Sequence, residues 1–219
     1  MKKFLSLLLA LTMAVSLTAC GAGTASDPRE SQPGSAVSEP PASAEPEPTP
    51  DPTQEPGEGD TPSTLVAYFS ATGNTEGIAQ HLQAILDAGL YEIVPAEPYS
   101  DDDLNYNASD CRANQEQNDP DARPAIEGSV EDMDSYDVIF LGYPIWWGEA
   151  PRIISTFLES YDLAGKTIVP FCTSGSSGIG SSAEHLAALA GSATWLEGVR
   201  FNPSASQEEV AAWVDGLGL

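Results

Sequence analysis

Three short loops carry small polar, glycine or aromatic residues directly after apolar runs: the first loop (residues 70–75), the second (142–148) and the third (173–180). The first loop, SATGNT, precedes an amphipathic stretch that predicts a helix. Hydroxyls, amides and the positive end of a helix dipole attract an anion, and Gly73 permits a close backbone approach. No Gly-Lys-Ser/Thr follows, so the loop is not a P-loop. It favours a phosphate site without a basic side chain; the alternative is that its polar side chains cap the helix.

The other two loops have the composition of a site for a planar ring. The second loop, GYPIWWG, places Trp146 and Trp147 just past an apolar run, and an indole offers a flat stacking surface. We expect one of the two to cover the core instead, because neighbouring side chains point in different directions. The third loop, TSGSSGIG, offers amides and hydroxyls to a heterocycle, although plain turns have the same composition.

Alternating strands and helices are predicted to position these loops. Apolar runs predict five strands, at residues 64–69, 91–95, 136–142, 166–171 and 194–201. Helical periodicity predicts helices at residues 75–88, 150–161, 181–189 and 206–217, with Gly89 ending the first. This alternation is typical of a doubly wound α/β domain with a five-stranded parallel sheet. The loops that follow such strands meet at the carboxyl edge of the sheet, where ligands bind.

Residues 99–134 interrupt this alternation. They are polar and acidic and show no sustained periodicity, so we expect an irregular segment in place of one crossover helix. Arg112, Glu116 and Arg123 in this segment are more consistent with structural or solvent-facing roles than with catalysis. His81 and His185 lie in predicted helices, where surface or packing roles are the usual ones.

In combination, the three loops resemble those of the flavodoxin family, over essentially all of residues 63–219. The resemblance implies a strand order of 2-1-3-4-5 and FMN as the cofactor. It implies that the phosphate is bound by Ser70, Thr72, Gly73, Asn74 and Thr75. It also implies that one side of the flavin ring is lined by Pro144, Ile145, Trp146, Trp147 and Gly148, and that the other edge is lined by Thr173, Ser174, Gly175, Ser176 and Gly178.

Two departures from the family pattern bear on function. Typical flavodoxins stack a tyrosine on the flavin from the stretch that matches residues 173–180, and this chain has no aromatic residue there. They also place a glycine directly after the flanking tryptophan, whereas here Trp147 follows Trp146 and Gly148 comes one later. An uncovered ring would admit a small acceptor. Three functions therefore stay open: an FMN electron carrier, an FMN-dependent reductase of a quinone or similar acceptor, and a non-redox binding module.

The N-terminal 62 residues predict export and anchoring. Residues 1–19 have Lys2 and Lys3 before a short apolar run, as in a signal peptide. The run ends in Leu-Thr-Ala-Cys, which resembles a lipobox and predicts lipidation of Cys20 at the bacterial cell membrane, with the domain outside the cytoplasm. Residues 20–62 are rich in Pro, Glu and Ser and predict a disordered linker.

Charge and cysteine content narrow the choice of partners. The chain has a net charge of -25, and residues 63–219 keep 24 of the 33 acids against five of the eight bases. Such a domain is unsuited to nucleic acid or anionic lipid and suits a basic redox partner, although acidity also serves solubility. No metal-binding cluster is evident. Cys111 and Cys172 remain after Cys20, and an oxidising exterior would permit them to pair.

Overall fold

The computed structural model describes residues 63–219, so the predicted signal peptide, Cys20 and the linker lie outside the described residues. Within this part, none of the helices combines the length and the apolar character that crossing a membrane requires. The elements in chain order are β1 (Thr64–Tyr68), α1 (Asn74–Leu86), β2 (Gly89–Glu92), β3 (Val94–Pro95), α2 (Arg112–Asn118), β4 (Ile126–Glu127), β5 (Val138–Pro144), α3 (Arg152–Glu159), β6 (Thr167–Thr173), α4 (Ser182–Ala187), β7 (Thr194–Trp195), β8 (Val199–Phe201) and α5 (Gln207–Asp215).

A parallel sheet with five strand positions organises the domain. Its neighbouring strands are β2, β1, β5 and β6, and both β7 and β8 pair with β6 at the fifth position. This is the predicted order 2-1-3-4-5, so the flavodoxin-like, doubly wound α/β fold is confirmed. Gly142 lies beside Phe171 in the register, and a Cβ there would lie 2.2 Å from the Phe171 ring. Glycine therefore leaves room for the Phe171 ring beside the start of the second loop.

Apolar side chains cover both faces of the sheet, as nearly continuous apolar strands predict. On one face, Ile78 and Leu82 of α1 and Val210 of α5 pack with Val66 and Phe140 of the sheet. On the other face, α3 and α4 contribute buried apolar residues to a second cluster. The parallel registers place Tyr68 beside Gly142 and Gly142 beside Phe171, so the carboxyl ends of β1, β5 and β6 are aligned at one edge.

The predicted fifth strand is divided in two. Trp195 pairs with Ile168 and Val199 pairs with Phe171, so three residues oppose two between these points. Pro170 occupies that stretch of β6, and a proline has no N–H to donate to a neighbouring strand. The single strand predicted over residues 194–201 was therefore wrong, because the interruption comes from a proline in the partner strand.

The segment at residues 99–134 is largely irregular, as predicted, but it contains short elements. α2 lies within it, and β4 pairs antiparallel with β3 outside the main sheet. Only Ala113 of α2 is buried, so the helix leaves almost no apolar periodicity in the sequence. The crossover between β2 and β5 therefore does carry a helix of seven residues.

The first crossover helix ends differently from the prediction. Asp87, with φ 50°, takes the left-handed conformation that follows α1, whereas Gly89 begins β2. A Cβ on Gly89 would lie 2.7 Å from the Tyr136 hydroxyl, so this glycine permits a close side-chain contact. The assignment of Gly89 to the helix C-terminus was wrong. A glycine that ends a helix and a glycine that permits a close contact cannot be told apart in the sequence.

Candidate functional site

The three predicted loops meet at the carboxyl edge of the sheet, after the adjacent strands β1, β5 and β6. The hydroxyl oxygens of Thr75 and Thr173 lie 2.8 Å apart in a buried hydrogen bond. The backbone N–H of Ile145 donates to the Thr173 carbonyl at 3.1 Å. Thr173 therefore connects the first loop to the second and begins the third.

The backbone of the first loop is suited to binding an anion. Gly73 is the N-cap of α1, has φ 78°, and the helix has no side-chain cap. The side-chain amide of Asn74 donates instead to the Thr72 hydroxyl at 3.0 Å. The alternative in which polar side chains of this loop cap the helix is therefore not observed. The positive end of the helix dipole faces the loop, and no side chain accepts a hydrogen bond from the first N–H groups of α1.

Ser70 adds a hydroxyl that the protein does not use. Its Oγ is buried and has no hydrogen-bond partner, although buried polar atoms are paired in most native structures. Ser70 also lines a cavity of about 190 Å³ whose other lining residues are Phe69, Ala71, Glu92, Val94, Pro95, Pro98 and Tyr99, and which includes none of residues 72–75. The unpaired hydroxyl is therefore a hydrogen-bond donor within the first loop that no protein acceptor uses.

The two tryptophans of the second loop have different environments. Trp146 is 6% exposed, and its ring makes edge contacts with Phe69 and Tyr99 at centroid distances of 5.5 and 5.2 Å. Trp147 is 37% exposed. As expected, one tryptophan covers the core, and that residue is Trp146. Trp147 is the one whose ring is accessible to a planar ligand.

A tight turn exposes Trp147. The backbones of Trp146 and Glu149 pair through two hydrogen bonds of 2.9 and 3.0 Å, which leaves Trp147 and Gly148 as the central residues. Their φ angles are 47° and 86°, and positive φ at both central positions is typical of a type I′ turn. Glycine adopts this conformation readily, but for tryptophan it costs about 1–2 kcal/mol. Such strain is concentrated at functional sites.

An arginine outside the third loop fixes that loop. The Arg200 guanidinium on β8 donates to the carbonyls of Ser174 and Gly175 at 2.6 and 2.8 Å. The Ser174 hydroxyl donates in turn to the Ser177 carbonyl. These bonds hold the start of the loop, while Gly175, Ser176 and Gly178 are exposed at the site. Sequence reasoning missed Arg200 because it lies in a different strand.

The segment at residues 99–134 also contributes to the site. The ring of Tyr106 stacks on Trp147 with a centroid distance of 4.3 Å and an angle of 20°. Tyr99 contacts Trp146, and its hydroxyl donates to Glu116 at 2.5 Å. Sequence reasoning missed both tyrosines; aromatic residues in an otherwise acidic segment were the available signal. The sequence predicts structural roles for charged residues here, and Arg112 indeed forms an ion pair with Glu116 at 2.7 Å.

A side-chain contact joins Glu149, the residue after the second loop, to His185 of α4. The Glu149 carboxylate lies 3.0 Å from Nδ1 of His185, and it accepts a hydrogen bond from the Ser181 hydroxyl at 3.3 Å. The His185 side chain is 66% exposed, which agrees with the expected surface role. This contact fixes the residue that follows Gly148.

The predicted site residues contain no ionisable side chain. Beneath them, burial raises the pKa of the Cys172 thiol to about 12 and also raises the pKa of the Tyr143 hydroxyl. Both groups therefore stay neutral near pH 7 and are poor nucleophiles or bases. Cys111 and Cys172 are both free and buried, so the pairing considered from the sequence is not observed.

Comparisons with known proteins agree with this geometry. A flavodoxin family model matches residues 63–217. A candidate flavoprotein from Bacteroides eggerthii is 46% identical over 73% of this chain and 99% of that one, with a TM-score of 0.69. A second, from Bacteroides uniformis, is 43% identical over 70% and 98%, with a TM-score of 0.68.

A more distant solved structure contains a ligand. The flavoprotein from Lactobacillus acidophilus, solved in complex with FMN, is 27% identical over 70% of this chain and 99% of that one, with a TM-score of 0.54. No curated protein matches the chain. The extent of the family match, together with the strand order and the three loops, shows that this chain belongs to the flavodoxin family.

Proposed function

We propose that this protein is an FMN-binding electron-transfer flavoprotein tethered to the outside of the bacterial cell membrane. The observation that carries the proposal is the first loop. Its uncapped helix start, the left-handed Gly73 and the unpaired Ser70 hydroxyl together suit a phosphate monoester. The FMN complex of the related Lactobacillus acidophilus protein supports the same cofactor here.

The second and third loops would hold the flavin ring. Trp147 offers an exposed indole for stacking, and the third loop offers hydroxyls and amides to the ring edge. Trp146 would support the loop from below, because its own ring is committed to Phe69 and Tyr99. Bound FMN would supply the transfer of electrons, which the uncharged side chains of these loops do not provide.

Titration of the flavin-free protein with FMN and riboflavin tests cofactor binding. We expect FMN to bind much more tightly than riboflavin, because only FMN places a phosphate at the α1 N-terminus. The charge-assisted bonds involved are worth about 1.5–3 kcal/mol each. Equal affinities for the two flavins would show that the first loop is not a phosphate site. Absence of binding for both would favour the non-redox module.

The tether is proposed from the N-terminal sequence. A lipidated Cys20 would anchor the chain, and residues 20–62 would hold the acidic domain away from the membrane surface. Replacing the cysteine (Cys20→Ala) is expected to abolish acyl labelling and to leave the precursor unprocessed by signal peptidase II. Unchanged acyl labelling of the variant would contradict the anchor.

The choice between carrier and reductase depends on the partner. A carrier that docks through its acidic surface should associate with a basic redox partner at a rate that falls steeply with added salt. A reductase is the second candidate, favoured by the absence of an aromatic residue in the third loop, which would leave a ring face open to a quinone or similar small acceptor. Rapid, salt-independent reduction of a neutral quinone, without a protein partner, would identify the reductase.

A further inference from the structure

We propose that Tyr106 and Gln117 are positioning residues, which hold the second loop in its ring-binding conformation before a ring arrives. Both belong to the support segment, defined as residues 99–118, which lies in the crossover between β2 and β5. The proposal deepens the proposed function, and it rests on the second loop being the flavin-binding loop.

Gln117 spans the turn that exposes Trp147. Its side-chain amide donates to the Trp146 carbonyl at 2.8 Å and to the Ala150 carbonyl at 3.3 Å. These two carbonyls lie on either side of the Trp147–Gly148 turn, so one side chain holds both of its ends. The Oε1 atom of Gln117 is buried without a partner, which indicates that the side chain is placed for its donor group.

Tyr106 holds the tip of the same turn. Its ring lies parallel to Trp147, with 4.3 Å between centroids, and its hydroxyl lies 3.4 Å from the Ile145 carbonyl. Tyr106 is 56% exposed, so burial in the core does not explain its position. One face of the Trp147 indole is covered by this contact, which limits the rotation of the exposed side chain.

The support segment is itself anchored to the domain. Arg152 at the start of α3 donates to the carbonyls of Glu116 and Gln117 at 3.3 and 2.9 Å, at the C-terminal end of α2. The Glu116 side chain accepts from Tyr99 and Arg112 at 2.5 and 2.7 Å. A cation at a helix C-terminus is a favourable arrangement. The anchors hold Gln117 in place against the turn.

The strained conformation of Trp147 explains why such support is needed. A bulky residue with φ 47° persists only where its surroundings impose that conformation. Without Tyr106 and Gln117, the turn would relax, and binding a ring would require the loop to be ordered again. Support in the free protein removes that cost, which raises affinity without adding a contact to the ligand.

The test measures the dissociation constants of both FMN and riboflavin for the purified full chain in detergent, with two variants and two matched controls. We expect Tyr106→Leu and Gln117→Met each to weaken both flavins by about two- to tenfold. The ratio of the two dissociation constants should stay at the parent value, because the phosphate site is untouched. Tyr106→Phe keeps the stacked ring and loses only the long 3.4 Å hydroxyl contact, and Gln207→Met makes the same change as Gln117→Met at an exposed position of α5, outside the support segment; both should bind like the parent.

A second measurement does not depend on bound flavin. Amide hydrogen exchange of the flavin-free protein should speed up at residues 145–150 in Tyr106→Leu and Gln117→Met, and stay unchanged at residues 70–75. Parent-like flavin affinities in both variants, a changed FMN-to-riboflavin ratio, or unchanged exchange in the second loop would overturn the proposal. If the parent binds no flavin, the proposed function fails instead, and exchange alone decides whether the segment supports the turn.

Discussion

The first and second loops lie at the same edge of the sheet, but different parts of the chain hold them in place. The first loop joins β1 directly to α1, and its conformation depends on Gly73 and on one buried contact, between Thr75 and Thr173. The second loop contains a strained turn, and it is held by Tyr99, Tyr106 and Gln117 from a distant segment. Apart from that one contact to β6, the proposed phosphate side is built from local sequence, whereas the proposed ring side depends on several contacts from the crossover segment.

This difference has a consequence for how the two sides respond to substitution. Substitutions in the first loop should affect mainly the first loop itself, because its conformation is set where the chain enters α1. Changes on the ring side should spread, because the turn depends on residues about 30 to 40 positions away, such as Tyr106 and Gln117.

The largest effect should separate the two tryptophans. Trp146→Ala should lower the free energy of unfolding by about 3–5 kcal/mol, because it removes a buried indole from the core. Trp147→Ala should cost only about 1 kcal/mol, from the lost stacking on Tyr106. Urea denaturation measures both. Riboflavin titration should show weaker binding for Trp147→Ala, and equal losses of stability would contradict the division of roles.

The next effect concerns the buried hydroxyl pair of the first loop. Thr75→Ala should lower the free energy of unfolding by about 1–3 kcal/mol, since it leaves the Thr173 hydroxyl buried without its partner. It should also weaken FMN by about one to two decades. Thr72→Ala should weaken FMN similarly but hardly change stability, because Thr72 is exposed. Riboflavin binding should be nearly indifferent to both changes; a large effect on riboflavin would show that the two sides are not separable.

A smaller effect concerns Tyr68 in β1, the strand before the first loop, and it is measured as the dependence of stability on pH. Burial raises the pKa of Tyr68 at the end of β1 to about 12, with contributions from Glu92 and Glu76. Below about pH 10 the phenol is neutral in both the folded and unfolded chain, and its contribution to stability is complete. Between pH 10 and 12 the unfolded chain ionises first, so Tyr68 by itself should lower stability by about 1 kcal/mol from pH 9 to pH 11. Other buried groups with a raised pKa, such as Tyr143 and Cys172, add to the decline of the parent, so Tyr68→Phe should make it shallower by about that amount; an identical pH profile would exclude a contribution from Tyr68.

The smallest effect concerns the end of α1, far from both loops. Asp87→Gly should raise the free energy of unfolding by about 1 kcal/mol, because it relieves a left-handed aspartate and removes a negative charge from a helix C-terminus. FMN affinity should not change. Gly89→Ala should instead destabilise the protein, because its Cβ would meet the Tyr136 hydroxyl. A loss of stability in Asp87→Gly would mean that the aspartate makes a favourable interaction that outweighs its strain.

Much of the fold was predictable because its signals are local. Apolar runs marked the strands of the sheet centre, helical spacing marked α1 and α3, and glycine and hydroxyl residues marked the first loop. Prediction from the local sequence failed where one residue type can serve two structural purposes. Gly89 permits a close contact rather than ending a helix, and Pro170 divides a strand that lies beside it rather than its own. α2 was not recognised because it buries only one residue.

The residue types and spacing of the three loops were enough to indicate the family, and the alternation of apolar runs with helical spacing was enough to indicate the parallel sheet, because each signal lies within a short stretch of chain. The sequence did not distinguish which tryptophan faces a ligand, nor did it indicate that Tyr106, Gln117 and Arg200 support the site. Those assignments depend on which residues meet across tens of positions. Contacts of that kind arise from the packing of the crossover segment and of β8 against the sheet edge. Trp146 and Trp147 are adjacent and identical in type, so no local signal shows which side chain is buried and which is exposed.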